Sequence, residues 1–386
     1  MLNKKHLLGI LLISLTLQVQ SQSIDGEEKY DNDRHRIFHK AEPLDFLVHA
    51  AGPFIRLSDG NIFSIQAEKR EVAYRISKDE GVTWTEYALF DSARFAVVNP
   101  VFVQTRKGTI IVAFSNMKEL SPLNWNNTTH NYDPAAKIPT YIVCSRDNGK
   151  TWSEPQKLHD SWTGFNRAMI ETKDGTIVLS TMIMRNNPGR HCVLTYVSPD
   201  DGASWTPSIV LDSPSSSGHH GGLMEANIIQ LNDGRLWMLI RTNWDYFYES
   251  YSSDNGRTWS AYCKTEIDAS SSPCGLLRMK SGRIVMVWNR LYHKDRKEMA
   301  RQGGDKNLCE VEASWQRDEL SLAYSDDDGK TWSSPVVVAE NRNPDTANSQ
   351  RSWLSYPYLF EQSKGVIWIT TMQGNLKIAV RDQDFP

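Results

Sequence analysis

Apolar residues in this sequence seldom recur at the three- and four-residue spacing of an amphipathic helix, so the pattern argues against a helical fold. Cysteine is sparse and odd in number, five in 386 residues, which excludes a fully paired disulfide scaffold. Cys144 and Cys192 sit in apolar runs and read as buried thiols, while the sequence leaves open whether Cys263 and Cys274 pair. No Cys/His spacing resembles a zinc site, and nothing calls for a metal or another cofactor. An excess of one charge is also missing. Lys and Arg number 43 against 46 Asp and Glu, interspersed along the chain, which gives no footprint for a nucleic acid. Long apolar runs are absent too. The run Leu7–Leu17 is too short to span a membrane. With Lys4 and Lys5 before it and Val19-Gln20-Ser21 after it, residues 1–21 read as an export signal cut before Gln22. The expectation is a protein exported to the periplasm or secreted, with no membrane span. Residues 22–35 are polar and expected to be mobile, and 36–386 form a single domain.

What the chain does contain is a repeated turn. Ser252-Ser253-Asp254-Asn255-Gly256-Arg257-Thr258-Trp259 follows the pattern S-x-D-x-G-x-T-W, and further copies begin at Ser77, Ser145, Ser198 and Ser325. Ser204 replaces the Thr in the copy at Ser198. The Asp can bond amides of its own turn, the Gly can take positive φ, and the Trp can pack the turn onto a neighbouring sheet. Intervals of 53 to 73 residues mark a repeat architecture.

A second turn alternates with the first. Six Gly-containing turns, ending at Gly60, Gly108, Gly175, Gly234, Gly282 and Gly365, each join two apolar runs and read as hairpins. In five of the six units the Asp-containing turn follows and joins two more strands. Four strands in each of six units predict an all-β fold, a six-bladed β-propeller of four-stranded antiparallel blades. The last unit lacks the second turn, so a strand from within residues 34–48 is expected to complete it and close the ring. Residues 116–140 and 290–316 are long connections between second and third strands, with Trp125, His130, Tyr132, Tyr292 and His293, and suit a binding rim.

Both turn types should lie on one face of the disk, and the first strands should line the central channel. Nine residues before each hairpin Gly then mark equivalent places at the opposite mouth: Ala51, Asn99, Asn166, Glu225, Pro273 and Tyr356. Seven residues after each Gly mark the ends of the second strands, Arg241 among them. Glu225 and Arg241, sixteen apart, thus share one blade and one mouth.

These features resemble the sialidase (neuraminidase) superfamily, over about residues 36–384. A family Glu precedes a family Arg by sixteen residues, as Glu225 precedes Arg241. A further family Arg lies eight residues before an Asp-box Ser, as Arg317 lies before Ser325. The family's nucleophilic Tyr begins the first strand of the last blade, where Tyr356 stands in Ser355-Tyr356-Pro357-Tyr358-Leu359. The resemblance implies an exo-glycosidase that removes a terminal, sialic-acid-like sugar from a glycan with retention. It implies that Tyr356 attacks, Glu225 takes its proton, and Arg241 and Arg317 hold the substrate anion. A neutral phenol suits an anomeric carbon that carries a carboxylate, because a carboxylate nucleophile would be repelled. Guanidinium forks hold the carboxylate itself.

The sequence departs from the family in the first blade. Ala50 stands where a third Arg is expected, with His49 the nearest cation, and Glu68 is the closest substitute for the missing acid/base Asp. Asp133 or His130 could also reach over from the second-blade connection. Asn99, Asn166 and Arg167 are further candidate ligands, or blade-to-blade bonding groups. His219 and His220 precede Glu225 and belong to the same face. Glu225 and Arg241 also fit a purely structural ion pair. Two other readings stay open: a carbohydrate-binding propeller without catalysis, and a different glycosidase or lyase that uses His219 or His220.

Overall fold

The computed structural model describes residues 35–44, 52–68, 71–213, 218, 220–291, 301–304, 309–341 and 353–385. Six antiparallel sheets follow one another along the chain, each built from successive up-and-down strands. The alternation of turn types is the reason. In blades one to five the third strand ends on the Ser of an Asp box, at Ser77, Ser145, Ser198, Ser252 and Ser325. The six-bladed propeller expected from the spacing is the architecture observed.

The boxes are built almost identically. In the fourth, Ser252 Oγ donates to Asp254 Oδ1 at 2.8 Å and accepts from the Gly256 amide at 2.8 Å. Asp254 in turn accepts from the Thr258 amide at 2.9 Å and the Thr258 hydroxyl at 2.6 Å. Ser204 makes the same two bonds to Asp200 in the copy that lacks Thr, because they use the backbone amide and, of the side chain, only the hydroxyl. Two consecutive residues of each box are left-handed, since Glu80, Asn148, Asp201, Asn255 and Asp328 before the Gly also have positive φ. Four of those five are Asn or Asp, which tolerate that region best among non-glycine residues.

Boxes and hairpins share one face, as expected. Asn255 Nδ2 reaches Asp174 Oδ2 of the neighbouring blade's hairpin at 2.5 Å, and the Asn232 amide donates to Asp328 Oδ2 at 2.7 Å. Apolar side chains fill the space between blades. Phe63 and Tyr74 of the first blade pack with Phe102 and Phe114 of the second, with Phe63 and Phe102 edge to face.

The ring closes through the N-terminal segment. Glu42–Pro43 pairs with Ile378 and Ala379 as the fourth strand of blade six. His35–Ile37 adds an unforeseen fifth strand to blade five, against Ala339–Asn341. In the second-blade connection, Leu123 and Ala136 pack against Met184 of blade three. The fifth-blade connection includes a hairpin of Arg301–Gly304 with Cys309–Ser314. The possible Cys263–Cys274 bond is not formed: both are free thiols, Cys263 exposed and Cys274 buried. Cys144, expected to be buried, is only partly so, whereas Cys192 is fully buried.

Two tests address the boxes. A Cβ on Gly81 would lie 2.3 Å from the Trp368 ring of blade six, whereas one on Gly60 would meet nothing, and both residues have φ near +90°. Gly60→Ala should cost about 1–2 kcal/mol from the left-handed backbone alone, and Gly81→Ala a further ~1–3 kcal/mol from overpacking, as read by urea unfolding. The second test is acid. Bonds from Thr151 and Thr331 hold the carboxyls of Asp147 and Asp327 at about 2, below the ordinary 3.8. As pH falls, the unfolded chain therefore takes up these protons first. The stabilisation is complete above about pH 4 and lost between pH 4 and 2, so Asp147→Asn should flatten the acid limb of the unfolding curve there.

Candidate active site

At the mouth opposite the boxes, four blades deliver side chains to one point. Glu225, Arg241 and Tyr356 are only 3%, 2% and 5% exposed. Glu225 is the second residue of the first strand of blade four, at a bulge where the register against the second strand shifts by one residue. A bulge re-aims a side chain, and here the carboxylate meets Arg241 from the end of that second strand. Tyr356 lies at the start of the first strand of blade six with φ +60°, a region an aromatic residue adopts only under constraint.

The geometry is a closed triangle. Tyr356 Oη donates to Glu225 Oε1 at 2.8 Å. Arg241 Nη1 donates to Glu225 Oε2 at 2.5 Å and to Tyr356 Oη at 3.0 Å. The Arg241 fork also grips Ser271 Oγ through Nε and Nη2, and Ser271 Oγ donates to Asn243 Oδ1 at 2.5 Å.

Arg317 comes from blade five, next to the third strand. Its Nη1 donates to Gln373 Oε1 at 2.9 Å and its Nη2 to the Ser271 carbonyl at 2.5 Å, while the buried Nε–H has no partner among the described residues. Its guanidinium lies 4.7 Å from the Trp315 ring and 4.6 Å from the Trp353 ring, and the two indoles stack with each other. Arg167, buried at the start of blade three, spans to blades five and six, where Nη2 donates to the carbonyls of Cys274 and Pro357 at 3.2 and 3.3 Å.

Electrostatics follows from this packing. Burial opposes ionisation of Glu225, but Arg241, the Tyr356 hydroxyl and more distant Arg167 outweigh it and hold the carboxyl below its usual range. Burial and the Glu225 charge push the Tyr356 phenol up, against the pull of Arg241 and Arg317. Burial lowers Arg317 to about 10. Among the described residues, Glu225 is the sole carboxylate in ion-pair contact with any of the three guanidiniums. The cluster therefore carries excess positive charge, and an anion entering it would be attracted.

The remaining candidates fall in different places. Asn166 is buried and engaged with Thr140 Oγ1 and Ser115 Oγ of blade two. Asn99, half-buried, occupies the place in blade two equivalent to Tyr356 and shares its left-handed backbone, at φ +50°. His220 is half-buried, with its ring edge-on to Trp315 at 5.5 Å. Glu68 ends the second strand of blade one, and its side chain, like His49 and His219, lies outside the described residues. Asp133 bonds the Ala135 amide and lies with Asn124 around a bowl of about 500 Å³ on the second-blade connection. The site also contains Trp315, Trp353, Ser271 and Gln373, which sequence reasoning missed. For the two Trp residues the signal was position, two before Arg317 and three before Tyr356.

Residues 91–369 match the model of the BNR repeat-like domain. A sialidase of Paraclostridium sordellii is 26% identical over 276 residues, covering 66% of this chain and 65% of that protein. A sialidase of Clostridium perfringens is 29% identical over 213 residues, 50% of this chain and 53% of that one. The chain thus spans about half to two thirds of the length of the curated relatives it matches. Among solved structures, a sialidase of Streptococcus pneumoniae superposes with a TM-score of 0.58 at 11% identity, covering 92% of this chain and 71% of that one. A protein of unknown function from Dyadobacter fermentans gives 0.57 at 17% identity, covering 90% and 96%. The family match over most of the chain, the sialidase relatives and the propeller with its Asp boxes agree: the chain belongs to the BNR repeat-like domain family, within the sialidase superfamily.

Proposed function

We propose that this protein is an exported retaining glycosidase that removes a terminal acidic, sialic-acid-like sugar from a glycan. The observation that carries the reading is the Tyr356 hydroxyl, bonded to a buried ionised Glu225 within a group of guanidiniums that outnumber the carboxylates.

In this mechanism Glu225 takes the phenol proton as Tyr356 Oη bonds to the anomeric carbon. The glycosidic C–O bond breaks, and the departing oxygen receives a proton from a general acid. Water, giving its proton to the conjugate base of that acid, then displaces Oη, which leaves as phenolate and regains its proton from Glu225. Arg241 and Arg317 supply planar forks for the substrate carboxylate. An incoming carboxylate would share Arg241 with Glu225. Losing part of that partner raises the basicity of Glu225 at the moment when a base is needed.

Two measurements test the reading. The purified protein should release the fluorophore from an aryl sialoside. Tyr356→Phe should lose turnover while still binding the sugar, and should form no covalent adduct with a fluorinated sialoside, as read by intact-protein mass spectrometry. Glu225→Gln should lower kcat roughly 100- to 10,000-fold. No turnover of sialic, other ulosonic, uronic or neutral glycosides would leave a carbohydrate-binding propeller. Turnover that survives Tyr356→Phe but is lost on changing His220, whose ring meets Trp315, would identify a different glycosidase or lyase on this scaffold.

A further inference from the structure

Arg167 is hard to explain as scaffold. It is buried, and among the described residues it touches no carboxylate and its Nε–H has no partner. Two carbonyl bonds through one nitrogen tie it to blades five and six. An uncharged side chain of similar length would fill the same space without the cost of burying a cation. Its charge is felt by Glu225, and its guanidinium lies over two phenol rings. The guanidinium carbon lies 5.5 Å from the Tyr356 ring centre and 5.3 Å from that of Tyr358. Arg317 lies 5.6 Å from the same Tyr356 ring. The phenol thus has two guanidiniums beside its ring and a third bonded to its oxygen.

We infer that Arg167 is a positioning residue whose buried charge stabilises the negative charge that Tyr356 carries as it enters and leaves its bond to the sugar. The inference rests on Tyr356 being the nucleophile. An aromatic ring attracts a cation through its quadrupole, and a phenolate attracts it far more strongly, so the interaction grows between ground state and transition state. Charge that is fixed before substrate arrives costs no reorganisation during the reaction. The carbonyls of Cys274 and Pro357 hold the fork in place for this role. The other ionisable groups facing Tyr356 are Glu225, which opposes phenolate formation, and Arg241 and Arg317, which favour it. The last two are also the groups read as holding the substrate carboxylate. Arg167 is the cation of the cluster free of that duty.

The test is Arg167→Met, with Arg167→Lys as the charge-preserving control, on an aryl sialoside. At an effective dielectric of about 20 over this separation, losing the charge should lower kcat on the order of 100-fold, with KM changed less than about threefold. Arg167→Lys should recover most of the loss. Formation and breakdown of the adduct on Tyr356 should both slow, because the phenolate is nucleophile in one step and leaving group in the other. A rise in KM at unchanged kcat would make Arg167 a substrate-anion ligand and overturn the inference. So would a loss of kcat that Lys fails to rescue, accompanied by a matching loss of stability. A double-mutant cycle of Arg167→Met and Tyr356→Leu, which removes the ring, on urea unfolding needs no substrate. If the wild type turns nothing over, the glycosidase reading fails. The cycle then still decides the contact, since additive effects show that Arg167 does not act on Tyr356 and non-additive effects show that it does.

Discussion

Six strands that converge on one axis must bring their ends within side-chain reach of each other. That constraint governs the rest of the molecule. Arg167, Glu225, Arg317 and Tyr356 come from four successive blades, yet they meet because each stands near a strand end at the same mouth. None of these contacts is local. The triangle of Tyr356, Glu225 and Arg241 spans 131 residues of sequence between its first two members. It therefore exists only when the whole ring is in register, and the regular Asp boxes on the far face set that register.

The charge at the mouth is costly, and the structure shows how it is tolerated. Ser271 is central. Its hydroxyl receives the Arg241 fork while donating to Asn243, and its carbonyl accepts from Arg317. One small residue at the entrance to blade five thus holds two guanidiniums side by side that would otherwise repel. The indoles of Trp315 and Trp353 enclose Arg317 without neutralising it. Polar bonds and ring faces orient the cations, and among the described residues only Arg241 meets a carboxylate, that of Glu225. That is the arrangement expected where an anion arrives from outside.

The fold was nearly all legible in the sequence, because two turn types with fixed chemistry alternate at regular intervals and count the strands. Glu225, Arg241 and Tyr356 were legible for the same reason, since equal offsets from equivalent hairpins mark equivalent places. Other features depend on packing between blades and leave no periodic trace. The bulge that aims Glu225 and the left-handed backbone of Tyr356 are of this kind, as is the stacking of Trp315 on Trp353 across two blades. The fifth strand on blade five was missed because His35-Arg36-Ile37 follows no turn signal, and its partners lie about three hundred residues away. Arg167 was read as a ligand candidate from its neighbourhood, but its span to the carbonyls of Cys274 and Pro357 is a fact of the closed ring alone.

The closing strand also sets an order of events. His35 Nε2 bonds the Gly374 carbonyl, 339 residues away, and Glu42–Pro43 completes the sheet that Lys377–Arg381 leaves open. On the ribosome the first of these partners emerges long before the second. Until the last blade is made, the outer strand Glu42–Pro43 has no sheet to join and the nascent array exposes an unpaired edge, the kind of surface on which chains aggregate. The early segment spends synthesis with its partner unmade, so the ring, and the charged mouth with it, closes only after the last blade is made.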